Sequence, residues 1–306
     1  MRKIVVGVDG SEQSAAALRW AVREARLRDA ELTAVLMWDL FNQRHADGSQ
    51  RFDPAYDSAA ADAALEAAIV SAIGEEAAAG VKRLPVCDVP AHGLIEAAKG
   101  ADLLVVGARG LGGFRGLLLG SVSQQVLHHA PGAVAIVRPP KAGGKGTEEA
   151  EAAGTATDGG ERIVVGVDGS DPSNAALRWA LTEGRLRGAT VEAVHSWEVP
   201  VVFGPVAGSF PYDTEAIEKS GRELLDRVVD AAVADLGSPE VTVERTLVAG
   251  GAAMNLLDAA KQADLVIIGR RGLGGFKRLM LGSVSESVAR HSPCPVVILP
   301  PEEIAS

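Results

Sequence analysis

Cysteine is nearly missing: of 306 residues only Cys87 and Cys294 carry a thiol, and they stand in different halves of the chain. That spacing leaves no disulfide framework and no cysteine metal site to organise the fold, and a reducing cytoplasmic location is the expectation. Each thiol reads as a small buried or half-buried apolar residue. Aromatic residues are scarce at 4%, so the core falls to Val, Ala and Leu. No apolar run reaches the ~18 residues of a membrane span. The N-terminus runs straight into a strand pattern with no basic stretch leading to an apolar segment, so no signal peptide is expected. Positive charge is short as well: the formal net charge of −10 disfavours nonspecific binding to nucleic acid or anionic membranes, although a local basic loop can still hold a phosphate. No HExxH, no GxSxG, no GxxxxGK[ST] and no GxGxxG opening the first helix occurs.

What remains is a globular composition with 47% apolar and 23% charged residues and 35 glycines. The length fits two domains of about 150 residues, each large enough to bury a core. The chain repeats itself. Ile4-Val5-Val6-Gly7-Val8-Asp9-Gly10-Ser11 recurs without change at 163–170, and Ala16-Ala17-Leu18-Arg19-Trp20-Ala21 at 175–180. Further on, Arg109-Gly110-Leu111-Gly112-Gly113-Phe114 returns at 271–276 and Leu119-Gly120-Ser121-Val122-Ser123 at 281–285. Units of this length are a duplication rather than a solenoid. The reading is a first domain over 1–139, a linker over 140–160 and a second domain over 161–306. The linker is Gly-, Ala- and Glu-rich with almost no large apolar residue to offset ordering entropy, and it reads as a mobile tether.

Within each copy, strand and helix patterns alternate. Unbroken β-branched runs at 4–8 and 163–167 suit strands covered on both faces. Ser11 and Ser170 are placed to cap the following helices, and Pro172 fits an early helical turn. Further strands are expected at 32–38, 81–87, 103–106 and 134–137, and at 190–197, 240–248, 265–268 and 296–299. Helices at 55–79, 91–99, 213–236 and 252–261, and last helices starting at Gly120 and Gly282, complete the pattern. Trp20 and Trp179 are expected to face the core. Trp38 and Trp197, at strand ends, are candidates for a pocket border. Such alternation predicts α/β domains with open, mostly parallel sheets and ligands beyond the carboxyl ends of the strands.

The glycine-rich segment after each fourth strand is the sharpest local feature. Gly107-Ala108-Arg109-Gly110 leads to Gly120-Ser121, and Gly269-Arg270-Arg271-Gly272 to Gly282-Ser283. Glycines allow backbone amides to turn towards an anion, and a helix starting at Gly120-Ser121 offers free amides and a positive dipole end. Arg109 or Arg115, and Arg271 or Lys277, can add charge. The alternative is a Gly-rich connection followed by an ordinary serine cap. Asp9 and Asp168 end the first strands, where a carboxylate can accept from a base, hold a ribose hydroxyl or reach Mg²⁺ through water; equally, it can brace the Gly-Ser turn. Asp102 and Asp264, at the opposite sheet edge, read as structural. His128, His129 and His291 suit helix C-termini. No nucleophile–base pair is apparent.

The spacing Gly-two residues-Gly-nine residues-Gly-Ser resembles the ATP-binding signature of the universal stress protein family. The openings IVVGVDGS and the ADLLVVGARG and ADLVIIGRRG strands resemble that family too, in its tandem actinobacterial form. The resemblance implies two Rossmann-like (adenine-nucleotide α-hydrolase-like) domains, each with a five-stranded parallel sheet of order 3-2-1-4-5 and ATP at the switch point. It implies that Asp9 and Asp168 hold the adenosine end and that Met37 and Ser196 border the adenine. Gly107, Gly110, Gly120, Ser121 and Val122, with Gly269, Gly272, Gly282, Ser283 and Val284, would hold ribose and phosphates. It also implies pairing of the fifth strands, 134–137 with 296–299, a homodimer and an unidentified regulatory partner. One departure stands out: Asp88 stands where the second copy has Gly250 and the family often has glycine, a charge expected to narrow the first pocket or repel phosphates near it. The expected function is an ATP-binding stress-response regulator or sensor, with Mg²⁺ as companion ion. The alternatives are a slow metal-dependent ATP hydrolase or nucleotidyl-transferring enzyme, and a non-nucleotide protein-binding scaffold.

Overall fold

The computed structural model describes residues 3–112, 118–139, 160–198, 213–237, 241–273 and 280–300. The expected tether at 140–159, Arg115 and Lys277 lie outside them. The chain forms two compact units: 1–154 with 289–300, and 155–288 with 301–306.

In the first unit the order is β1 (Lys3–Gly7), α1 (Glu12–Arg28), β2 (Glu31–Trp38), α2 (Ser58–Ala78), β3 (Lys82–Cys87), α3 (Pro90–Ala97), β4 (Leu103–Gly107), α4 (Ser121–His129) and β5 (Ala133–Val137). The sheet order is β3-β2-β1-β4-β5, all parallel. The strands form because their β-branched runs are buried on both faces: Ile4, Val5, Val6 and all of β4 and β5 are buried. β10 (Val296–Leu299) belongs to this unit and runs antiparallel to β5, with Val297 opposite Ala135. The edge of β5 is thereby paired.

The second unit contains β6 (Arg162–Gly166), α5 (Asp171–Arg187), β7 (Thr190–Trp197), α6 (Thr214–Leu236), β8 (Val243–Ala249), α7 (Ala252–Ala259) and β9 (Leu265–Gly269). Helix α8 (Ser283–His291) follows. Here β6 lies between β7 and β9, and β8 pairs with β7, repeating the 3-2-1-4 order in parallel.

Helix ends follow local chemistry. Ser11 Oγ accepts from Ser14 N at 3.1 Å and Ser170 Oγ from Ser173 N at 3.4 Å, so both serines cap as expected. α1 ends on Asp29 in the left-handed region (φ 49°), where α5 ends on Gly188. Buried ion pairs one helical turn apart, Glu24–Arg28 and Glu183–Arg187, recur on the two helices. Asp102 and Asp264 accept from the backbone N–H of Lys3 and Arg162, a structural role at the sheet's lower edge. Three expectations need correction. Trp179 is half-buried, unlike the buried Trp20; Cys87 is exposed at the end of β3; and the last helices start one residue later, at Ser121 and Ser283.

Candidate functional site

In the first unit β1 pairs with β2 on one side and β4 on the other, so the connections leaving β1 and β4 diverge and open a cleft at their carboxyl ends. A cavity of about 910 Å³ occupies it, lined by Asp9, Met37, Gly107, Gly110, Gly120, Ser121 and Val122. The cavity thus gathers the first-copy residues that the family likeness assigns to the ligand, together with Arg109. Its volume lies at the upper end of the ~300–1,000 Å³ typical of small-molecule sites.

Asp9 organises the cleft. Its Oδ1 accepts from Ser11 N (2.9 Å), and its Oδ2 accepts from Leu111 N (3.1 Å), more than a hundred residues ahead. Asp168 repeats this with Ser170 N (3.0 Å), Ser170 Oγ (2.6 Å) and Leu273 N (2.9 Å). The carboxylate therefore braces its own turn and also ties the glycine-rich loop to the end of the first strand. Burial pushes the Asp168 carboxyl up, but the hydrogen bonds from Ser170, Leu273 and Ser173 outweigh it and hold the group below the ordinary aspartate range.

The first two signature glycines of each copy sit where a side chain has no room. A β-carbon on Gly107 would stand 2.8 Å from the Gln13 carbonyl in the first turn of α1, and one on Gly269 would stand 2.7 Å from the Pro172 carbonyl carbon. A β-carbon on Gly110 or Gly272 would strike Oδ2 of Asp9 or Asp168. Gly120 and Gly282 close the loop through backbone bonds to Ala108 O (2.7 Å) and Arg270 O (2.9 Å). Gly120, rather than Ser121, is the N-cap of α4, and no side chain caps that helix. The serine-cap alternative is thereby overturned: Ser121 opens the helix, and the uncapped first turn borders the cavity.

Sequence reasoning missed two pairs of serines. Ser123 Oγ and Ser285 Oγ, both buried, donate to the carbonyls of Gly107 and Gly269 at 2.7 Å, locking the last helix of each copy to the end of its fourth strand. Ser14 Oγ and Ser173 Oγ accept from Asp9 N and Asp168 N at 3.3 Å and donate to Ser11 O and Ser170 O. Their signal was available, since each recurs at the repeat offset.

The wall contributed by residues 39–57 is built by side chain–backbone bonds. Asp39 Oδ1 accepts from Phe41 N and Asn42 N, Gln43 pairs with the Asp53 backbone in both directions, and Tyr56 Oη donates to Arg44 O at 2.5 Å. Trp38 packs edge-on against Tyr56 with ring centroids 5.4 Å apart, and the cavity lining does not include it. Leu40, Phe41 and Phe52 line the mouth and remain exposed. Asp88 does not narrow the cavity as expected. Its carboxylate turns to its own helix, accepting from Val89 N (2.6 Å) and pairing with His92 Nδ1 (2.7 Å), which holds it below the usual aspartate range.

In the second unit Ser196 lies at the end of β7, and its Oγ accepts from Asn255 Nδ2 at 3.1 Å. His128, His129 and His291 occupy the last turns of α4 and α8. Among the described residues, no three His, Cys, Asp or Glu side chains converge as a metal site, and no helix is long and apolar enough to cross a membrane.

Fold and cleft together define a tandem doubly wound α/β protein whose two copies place an aspartate-braced glycine loop at the switch point. The chain belongs to the universal stress protein family, whose sequence pattern matches residues 1–138 and 160–300. A universal stress protein of Mycolicibacterium smegmatis is 34% identical, with 97% of each chain covered. One from Mycobacterium tuberculosis is 30% identical over 96% of this chain and 94% of its own. Among solved structures, a universal stress protein from Archaeoglobus fulgidus superposes with a TM-score of 0.61 at 22% identity, covering 97% of this chain and 98% of that one. That likeness concerns the fold.

Proposed function

We propose that each copy binds an adenine nucleotide, ATP in the first instance, in the cleft between its first and fourth strands. Binding would make the chain a nucleotide-responsive regulator in a stress response rather than a fast catalyst. The observation that carries this reading is the loop itself: in both copies an aspartate pins a glycine loop whose first two signature glycines, Gly107 and Gly110 or Gly269 and Gly272, leave no room for a β-carbon. In the first copy that loop leads to an uncapped helix N-terminus at a 910 Å³ cavity. Such an arrangement is a ready anion site. Gly107, Gly110, Gly120, Ser121 and Val122, and their counterparts Gly269, Gly272, Gly282, Ser283 and Val284, would hold ribose and phosphates, with Mg²⁺ accompanying the phosphates. Asp9 uses two of its roughly four acceptor positions on backbone N–H groups, which leaves room for a ribose hydroxyl. Met37 and Ser196 would border the base.

Ligand binding to the folded state stabilises it by linkage and biases any equilibrium in which the cleft takes part. Calorimetry on nucleotide-stripped protein with ATP and Mg²⁺ tests the reading. Two sites per chain support it, and reproducible absence of binding overturns it. The second reading, a protein-docking scaffold, draws on the exposed rim at the first cavity, where Phe41 is 89% and Phe52 66% exposed. It predicts partner capture by nucleotide-free protein that ATP leaves unchanged.

A further inference from the structure

The two copies share the aspartate-braced glycine loop and differ across the ends of their second strands. In the first unit Met37, next to last in β2, lies beside Val86, and its thioether lies over Gly93 of α3: a β-carbon there would stand 2.5 Å from Met37 Sδ. In the second unit the same strand register puts Ser196 beside Val248, and the corresponding fourth residue of α7 is Asn255. A long apolar side chain over a glycine has become a short hydroxyl under an amide. Either exchange alone would leave a hole or a collision; together they conserve the space and change its chemistry.

The orientation of the amide is fixed by its neighbours. Asn255 Nδ2 lies 3.1 Å from Ser196 Oγ, 3.2 Å from Gly250 O and 3.3 Å from Ala249 O. Carbonyl oxygens only accept, so this end is the NH₂ group. Ser196 Oγ therefore accepts from Asn255 and keeps its own proton to donate. The preceding position follows the same trend: Leu36, buried and lining the first cavity, corresponds to His195, whose Nδ1 donates to Val167 O at 2.8 Å.

Resting on the nucleotide reading, we propose that the two sites of one chain differ in base selectivity. The second site reads its nucleotide through the Ser196 hydroxyl, which donates to an acceptor atom on the base, with Asn255 as the positioning residue. The first site presents the apolar Met37 surface at that position, with no hydroxyl to donate there. Ser196 is the residue that touches ligand, while Asn255 acts through it.

The test is two-step calorimetry of the full chain with ATP, GTP and CTP in turn. One binding step should rank the three bases steeply and the other only weakly. Ser196→Ala should shrink the spread of the steep step about fivefold, the worth of one hydrogen bond, and leave the other step unchanged. The exchange pair S196M with N255G should make the two steps rank bases alike, and M37S with G93N should confer selectivity on the weak step. Identical ranking at both steps in the wild-type chain, or a spread untouched by Ser196→Ala, overturns the inference while the nucleotide reading stands. Absence of any nucleotide binding overturns both. Should the exchange pair fail to fold, Ser196→Ala alone decides.

Discussion

A β-carbon on Gly110 would stand 2.5 Å from Oδ2 of Asp9, the same oxygen that holds the amide of Leu111. The glycine and the aspartate are one device: the carboxylate can reach the loop only because nothing projects from the residue before its partner.

Gly110→Ala is accordingly expected to push the carboxylate off Leu111 N, at a cost of about 1–3 kcal/mol in stability and at least tenfold in ATP affinity. Because both residues serve one contact, Asp9→Ala combined with Gly110→Ala should cost less than the sum of the single changes. Urea midpoints of the four proteins form the cycle. Strict additivity would separate the two residues.

Gly120→Ala with Gly282→Ala makes the contrasting case. A β-carbon at these positions meets nothing nearer than 3.3 Å, and Gly120 has φ −75°, which any residue adopts. The double variant should fold at a small cost in stability while ATP binding weakens at both sites, because on the proposed reading the added methyl groups stand where phosphate oxygens would approach. Native affinity in the folded variant would remove the phosphate assignment.

Ser123→Ala and Ser285→Ala each strip a buried carbonyl at the end of a fourth strand of its 2.7 Å donor. Each should cost about 1–3 kcal/mol, the penalty of an unmade buried hydrogen bond. Cysteine at the same positions, a weak donor, should recover little. Chemical denaturation monitored at the tryptophans reads both effects, and a change below ~0.5 kcal/mol would show that the lock is dispensable.

Asp168 gives the second unit an acid-sensitive joint. Its folded carboxyl titrates below the ordinary value of about 3.9, so its charge stabilises the fold at every pH above that value. The contribution is lost as pH falls through the depressed folded value. Asp168→Asn should lower the melting temperature near pH 7 and flatten its decline below about pH 4. Parallel melting curves for variant and wild type across that range would contradict this.

Much of this was legible because it is local or repeated. Buried strands announce themselves as runs such as Ile4-Val5-Val6, and helix starts as Ser11 and Ser170. The order of the sheet and the pairing of residues 134–137 with 296–299 came from the family likeness, and the strand pairs agree with it. Hidden from sequence were relationships that depend on where a side chain turns. Asp9 reaches a loop 102 positions away, which no spacing rule reveals. Asp88 looked like a charge in the pocket but finds nearer partners in Val89 N and His92. The stretch 39–57 lacks any period because its order comes from single bonds such as Gln43 to Asp53. Met37 and Gly93, and again Ser196 and Asn255, look like unrelated differences until the shared register sets each pair in contact.

The first compact unit is discontinuous in the chain: β5 ends at Val137, and the strand that covers its edge begins at Val296. On the ribosome these strands are made far apart in time. Roughly 160 residues separate them, about 8–30 s of synthesis at ~5–20 residues per second. Throughout that interval the emerging chain carries a sheet edge with unpaired amides and carbonyls, open to the same edge on a neighbouring nascent chain from the same message. A chain halted before Val296 therefore leaves the β5 edge without its partner strand.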